Sequence, residues 1–379
     1  MKVYSYWPEW ILLSMSDFIF PSFVVVFILV FALECWFGLP TGCNILSRIL
    51  KSLHPIRMLK LAYELFWFII DLPSCIILCI KWFHFYKKID HSCIVKDVSY
   101  CARVGHKLDI YTTNSDKESP VVIFIFGGAW GSGSKWMYGM LGMSLSQTAK
   151  VTVVIPDYTL HPNGDMCHMM RDIYSVLDWT IKHISHYNGD PARITFMGHS
   201  AGAHLCSLFV MALEAFSTTS DLYLTKDIFS ELAIDVNLVP KLKSAIRNVI
   251  GIAGVYSISD HYLHEAKRGV EFISPMIKVA LGENNFARFS PLYICEQLSM
   301  SRKLSGIRFF LVHGNRDATV PSSSSHCFQK CLLQKGYFAQ CVVVVSNHTE
   351  LLFSLYSNTC NSALQSQVIN CVIDAIMSP

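Results

Sequence analysis

The chain has 379 residues and nearly balances 31 Lys and Arg against 28 Asp and Glu, leaving a formal net charge of only +3. That charge is too small and too dispersed for a nucleic-acid binder, and 52% apolar residues exclude a disordered chain. With 16% of residues charged, the composition is more apolar than an ordinary soluble protein of this length, and the excess lies at the front.

Residues 18–39 carry one charge, Glu34, and as a helix these 22 residues extend about 33 Å, enough for one membrane crossing. The run is too long for a cleaved signal peptide, and Lys2 is the only basic residue before it. A second apolar segment, 61–80, contains Glu64, Asp71 and Pro73. A carboxylate at a helix centre costs on the order of 3 kcal/mol on insertion, so this segment either spans, re-enters, or lies in the interface. Arg48, Lys51, Arg57 and Lys60 between the segments read as a cytoplasmic linker, and Lys81, Lys87 and Lys88 ask for the same side. One crossing by the first segment fits best. The expected division is an anchor and linker over 1–91 and one domain over 92–379, on the cytosolic side of a lipid bilayer. Fourteen cysteines and fifteen histidines show neither a Cys-x-x-Cys pair nor zinc-ligand spacing, so reduced thiols and no metal are expected.

From about Ser92 onward, strand patterns recur at 121–126, 151–155, 194–197, 249–255, 308–313 and 341–345, with helical stretches between them. That alternation predicts an α/β fold with a mostly parallel sheet flanked by helices. Gly198-His199-Ser200-Ala201-Gly202 follows one of these strands and precedes a helical stretch over 203–213. Glycines on both sides allow a sharp strand-to-helix turn that lifts the Ser200 hydroxyl clear of the sheet, as a nucleophile requires. A serine also needs a base, and the base needs an orienting group. Asp317, in the loop after 308–313, and His348, in the loop after 341–345, supply these in the order acid, then histidine. Gly127-Gly128-Ala129-Trp130 leaves the strand at 121–126, so the N–H groups of Gly128 and Ala129, with that of Ala201, are the candidate oxyanion donors.

Phe126-Gly127-Gly128-Ala129-Trp130, Asp157-Tyr158, Gly189-Asp190-Pro191-Ala192-Arg193-Ile194, Gly198 to His204 and Phe289-Ser290-Pro291 together resemble the hormone-sensitive-lipase-like branch of α/β-hydrolases. Within it, the Gly-Gly-Ala-Trp turn is similar to that of the isoprenylcysteine methylesterase-like enzymes, which are membrane-associated and cleave the methyl ester of prenylated cysteine. The resemblance runs from about Ser119 to His348. Phe126 stands where many relatives have His, and Thr159 where Asp-Tyr-Arg has Arg, so the bracing of the oxyanion loop and of the neighbouring strand differs.

The resemblance implies a membrane-anchored serine carboxylesterase in the endoplasmic reticulum or Golgi, needing no cofactor. Its expected substrate is a hydrophobic small-molecule or lipidated-peptide ester such as a prenylcysteine methyl ester. An arylformamidase-like amide hydrolase, or a non-catalytic binding or adhesion protein on the same scaffold, are the alternatives. Residues 258–282 read as a helical cap over the active site, with Tyr262, Leu263, Phe272, Ile273 and Met276 pointing inward. Trp130, Tyr262 and Phe272 are the candidate substrate-binding side chains. The one Asn-x-Ser/Thr sequon, Asn347-His348-Thr349, adjoins the proposed base, so a glycan there would crowd it; Asn347 is expected to be unmodified and the domain cytosolic.

Overall fold

A computed structural model describes residues 55–88, 91–113, 118–218, 236–271, 273–299, 306–356 and 362–378. The strands are β1 (Ile94–Ser99), β2 (Lys107–Tyr111), β3 (Ser119–Ile125), β4 (Thr152–Pro156), β5 (Gly189–His199), β6 (Ile246–Ile252), β7 (Arg308–Gly314) and β8 (Ala339–Val344). They form one sheet in the order β1-β2-β4-β3-β5-β6-β7-β8. β1 and β2 pair antiparallel with each other, β2 pairs antiparallel with β4, and every other pairing is parallel.

The centre of the sheet is apolar on both faces. Every residue of β3 and β4 is buried, as parallel strands covered by helices must be. The covering helices are α2 (Gly139–Ala149), α3 (Met166–His183), α4 (Ala201–Thr218), α5 (Val239–Ala245), α6 (Ile258–Arg268), α7 (Met276–Val279), α8 (Pro291–Gln297), α9 (Ser323–Gln334), α10 (His348–Phe353) and α11 (Ser362–Met377). Local chemistry sets several of their starts. The Asp165 carboxylate accepts from the N–H groups of Cys167 and His168 to open α3, and Ser257 accepts from Asp260 N–H to open α6.

All six strands expected from the sequence are present, within a few residues of their expected ends. β1 and β2 are additions. β1, Ile-Val-Lys-Asp-Val-Ser, is half polar because it is the edge of the sheet and stays partly solvated, whereas β2, Lys-Leu-Asp-Ile-Tyr, is buried after Lys107 and pairs its Asp109 with Lys135.

The expected crossing at 18–39 lies outside the described residues. The segment 61–80 is the middle of one helix, α1 (Pro55–Lys88), held against the rest of the described structure at Glu64, Trp82 and Tyr86. Near its start, the Arg268 guanidinium donates to both oxygens of Glu64 at 2.9 and 2.5 Å. Near its end, Trp82 Nε1–H and Tyr86 O–H both donate to the Trp136 carbonyl, at 2.9 and 2.8 Å. Trp82 also packs on the Trp136 ring with centroids 4.5 Å apart. No helix among the described residues is long and apolar enough to cross a membrane.

Candidate active site

The turn between β5 and α4 carries Ser200 at φ 53°, a left-handed conformation that a serine holds only under constraint from its surroundings. The constraint is visible in the neighbouring glycines. A Cβ on Gly198 would stand 2.4 Å from the Gly202 carbonyl carbon, and one on Gly202 would stand 2.0 Å from the Ile125 oxygen. Ser200 N–H donates to the Ile252 carbonyl at 2.8 Å, fixing the turn to β6, while its own carbonyl accepts from His204 N–H at 3.0 Å as α4 begins.

Asp317 and His348 come together at the ends of β7 and β8. His348 Nδ1–H donates to Asp317 Oδ2 at 2.6 Å. Asp317 Oδ1 accepts from the N–H groups of Thr319 and Val320 at 2.9 and 2.8 Å. Burial pushes this carboxyl up, but bonds to His313 and His348, the adjacent His348 charge and the Val320 N–H outweigh it and hold the group well below the usual carboxylate range. Asp317 therefore stays an anion that keeps the His348 proton on Nδ1 and leaves Nε2 to face the cavity.

Ser200 and His348 line one cavity of about 390 Å³ together with Gly128, Ala129 and Ala201. The oxyanion loop is tightly turned: Gly128, Ala129 and Trp130 all have positive φ, at 124°, 49° and 59°. The Gly128 carbonyl accepts from the N–H groups of Gly131 and Ser132 at 3.1 and 3.0 Å, and from the Ser132 hydroxyl at 2.9 Å. A Cβ at Gly128 would meet the Ser132 oxygen at 2.2 Å.

The candidate substrate-binding residues part company here. Trp130 borders the cavity but is 1% exposed. Its indole N–H donates to His204 Nδ1 at 3.2 Å, while His204 Nε2–H donates to the Phe289 carbonyl at 2.7 Å. Trp130 thus braces the oxyanion loop against α4. Burial pushes the His204 pKa down to about 4, which keeps the ring neutral and able to accept from Trp130. Tyr262 packs edge-on against Phe286 and does not border the cavity. Leu263 is exposed and Met276 is buried in the core. Phe272 lies outside the described residues. The face of α6 turned to the cavity carries His261 and Glu265 instead, because Ile258, His261 and Glu265 share one side at spacings of three and four.

Sequence reasoning passed over three further residues. His313, at the end of β7, donates from Nε2 to the Val320 carbonyl at 2.8 Å and lies 3.4 Å from Asp317 Oδ2. His199 packs on the His348 ring at 4.7 Å, and burial followed by the nearby His348 lowers its pKa to about 3. Asp172 accepts from Thr159 N–H at 2.7 Å and pairs with Arg103. That pairing brings in an arginine from another segment beside the position where the motif's own arginine is Thr159. Phe126, at the other departure, stacks on Tyr138 and packs against Tyr158, whose hydroxyl donates to the Phe126 carbonyl at 2.9 Å. Aromatic packing therefore braces the loop that follows Phe126.

Comparisons with known proteins agree with this architecture. An isoprenylcysteine alpha-carbonyl methylesterase of Arabidopsis thaliana is 30% identical over 261 residues, covering 68% of this chain and 56% of that protein. A kynurenine formamidase of Danio rerio is 36% identical over 113 residues, covering 30% of this chain and 37% of that one. The chain spans about half the length of the curated relatives it matches. Among solved structures, esterase B from Lactobacillus rhamnosis superposes with a TM-score of 0.61 at 17% identity, covering 80% of this chain and 94% of that one, which speaks for the fold. The family model described as BD-FAE matches residues 108–332, more than half of the chain. The chain belongs to the BD-FAE family, within the hormone-sensitive-lipase-like branch of the α/β-hydrolases.

Proposed function

We propose that the protein is a serine carboxylesterase in which Ser200 attacks an ester carbonyl. The observation that carries this reading is the gathering of Ser200, the Asp317-bound His348 and the oxyanion loop around one cavity. His348 Nε2 takes the Ser200 proton as the bond to the carbonyl carbon forms, then gives it to the leaving alcohol. Asp317 holds the ring in that tautomer and stabilises the imidazolium. The N–H groups of Gly128, Ala129 and Ala201 receive the negative oxygen of the tetrahedral intermediate. Water then attacks the acyl-enzyme through the same base. No step calls for a metal or cofactor.

The substrate is a hydrophobic ester, with a prenylcysteine methyl ester favoured by the methylesterase relatives. The formamidase relative, though matched over a shorter stretch, supports cleavage of an N-formyl amide as the second reading. Fluorophosphonate labelling of Ser200, followed by turnover of p-nitrophenyl esters, prenylcysteine methyl esters and N-formyl aryl amides, tests both. A protein that labels but cleaves only the formyl amide belongs to the second reading. One that neither labels nor turns over any of them is not a serine hydrolase.

The protein acts at a lipid bilayer, anchored by residues 18–39, with the domain on the cytosolic side of the endoplasmic reticulum or Golgi. In support, α1 exposes Ile56, Leu59, Ile76, Ile80 and Phe83 to solvent. Asn347 caps α10, accepting from the N–H groups of Thr349 and Glu350 at 3.1 and 2.8 Å, so a glycan on its side chain is poorly compatible with the loop that holds His348. Release of the full chain by carbonate would overturn the anchor. An endoglycosidase-sensitive mobility shift together with protease protection in intact microsomes would overturn the cytosolic side.

A further inference from the structure

The roof of the cavity contains a polar pair that hydrolysis does not use. His261 and Glu265 are 8% and 7% exposed, and both border the cavity that holds Ser200. Glu265 also borders an adjoining cavity of about 190 Å³, with Gly128, Ala129, Ser132, Val270 and Ile273. His261 Nε2 lies 3.5 Å from Glu265 Oε1, too long for a good hydrogen bond. Among the described residues, Glu265 Oε2 and His261 Nδ1 have no hydrogen-bond partner. Arg268, three residues along the helix from Glu265, donates from Nε and Nη2 to Glu64. A carboxyl group is thus buried at the cavity with one oxygen that meets no donor among the described residues, an arrangement unfavourable for the ionised group unless a ligand completes it.

We propose that Glu265 is a specificity-determining residue that binds a protonated amine on the acyl part of the ester. The inference rests on the esterase reading of Ser200. The adjoining cavity contains Glu265 and the oxyanion loop but neither Ser200 nor His348. The leaving alcohol must stand beside His348 to take its proton, which leaves this second cavity to the acyl group. There a charged amine gives Oε2 a charge-assisted hydrogen bond and neutralises the buried carboxylate. Burial raises the Glu265 pKa to about 7, while Ser274 and Arg268 pull it down and Glu271 adds to the rise. The group is therefore poised so that a neighbouring cation favours its ionised form. The apolar side chains of Val270 and Ile273 leave room beside the amine for an alkyl chain. The substrate class is then an amino-acid ester with a free amino group and an apolar side chain.

The test uses the full chain and a matched pair of methyl esters, S-hexylcysteine methyl ester and methyl 3-(hexylthio)propanoate, which differ only in the amine. At about pH 6.5, below the ordinary α-amino pKa, wild-type kcat/KM should favour the amino ester by about tenfold or more. Glu265→Gln should bring that ratio below about threefold, and Glu265→Asp, which keeps the charge, should give an intermediate ratio. The corresponding amides are then compared as protectants of Ser200 against fluorophosphonate, an assay that needs binding but no ester cleavage. A cation preference there that Glu265→Gln abolishes, with neither ester cleaved, upholds the amine site while the ester reading fails. Absence of any amine preference in the wild type overturns the proposal however the variants fold, and so does an equal loss on both members of each pair in Glu265→Gln.

Discussion

On the floor of the cavity, the elbow and the oxyanion loop leave no space for change: a Cβ on Gly202 would lie 2.0 Å from one backbone oxygen, and a Cβ on Gly128 would lie 2.2 Å from another. The polar groups there are also paired, with Asp317 accepting from His348, Thr319 and Val320, and His204 bridging Trp130 and Phe289. The roof differs. α6 turns His261 and Glu265 to the same space with one open atom each. A preorganised floor stabilises charge that develops during reaction, which is common to all esters. An incompletely paired roof would discriminate among ligands by what they supply, so that under the proposed roles reaction type and substrate choice fall to different elements.

The largest expected effect lies on the floor. Ser200→Ala, Asp317→Asn and His348→Ala should each lower kcat/KM by on the order of 10⁴ or more, since members of a triad act as a unit. Steady-state kinetics on a p-nitrophenyl ester reads this, and full activity in Ser200→Ala would break the assignment of chemistry to the floor. Next comes backbone crowding. Gly202→Ala should destabilise by about 3 kcal/mol or prevent folding, through strain rather than lost contacts. Thermal unfolding measures it, and a variant with unchanged Tm would contradict the packing at the elbow.

The buried histidines and the roof carboxyl should also separate by pH. Burial holds His199, His204 and His261 neutral, with pKa values lowered to about 3, 4 and 3. Such a histidine binds fewer protons folded than unfolded, so the stability it lends is complete above about 6.5 and lost as pH falls towards the folded value. Glu265 runs the other way. Its pKa is raised to about 7, so its contribution is complete below the unfolded value of about 4.5 and lost as pH rises through 7. Unfolding free energies in urea should therefore slope downward with acid in wild type, less so in His204→Gln. Glu265→Gln should remove the loss between about 4.5 and 7; an unchanged slope in that variant would show that the roof carboxyl is not held neutral by the fold.

Smaller effects sharpen the comparison. Trp130→Phe removes the donor to His204 and should cost about 1 kcal/mol, with a modest fall in kcat from a looser oxyanion loop. A change in KM alone would return Trp130 to substrate binding. The smallest effect is expected at Glu64→Ala, which cuts the partly exposed ion pair between α1 and the roof and should cost about 0.5 to 1 kcal/mol. Its check is a chemical-denaturation midpoint. A loss of several kcal/mol would mean that α1 is integral to the domain rather than tethered to it.

The floor was legible because its signals are local. Ser200, Asp317 and His348 each follow their own strand, and the glycines that permit the turns adjoin the groups they position. The roof was legible only in part, for a physical reason: of the apolar residues that hydrophobicity singled out, Ile273 borders the adjoining cavity, Tyr262, Leu263 and Met276 do not, and Phe272 lies outside the described residues, whereas helical geometry turned the polar side chains His261 and Glu265 inward. Their spacing from Ile258, at three and seven residues, was the available signal. For the Glu64 contact with Arg268, 204 residues away, the sequence contained no comparable signal.

By itself, then, the sequence determined the elements that depend on short-range periodicity and turn chemistry: the parallel strands, the tight turn at Ser200, the glycine turn after β3, and the placing of Ser200, Asp317 and His348 after their own strands. Only tertiary structure decided that the Trp130 indole is tied to His204 at the cavity wall, that Glu64, Trp82 and Tyr86 of α1 meet the domain, and that the Glu265 carboxyl borders the cavity with one oxygen unpaired among the described residues. These depend on which surfaces meet across the fold. Hydrophobic burial and ion pairing act between residues near in space whatever their separation in the chain, and residue spacing alone does not encode that nearness.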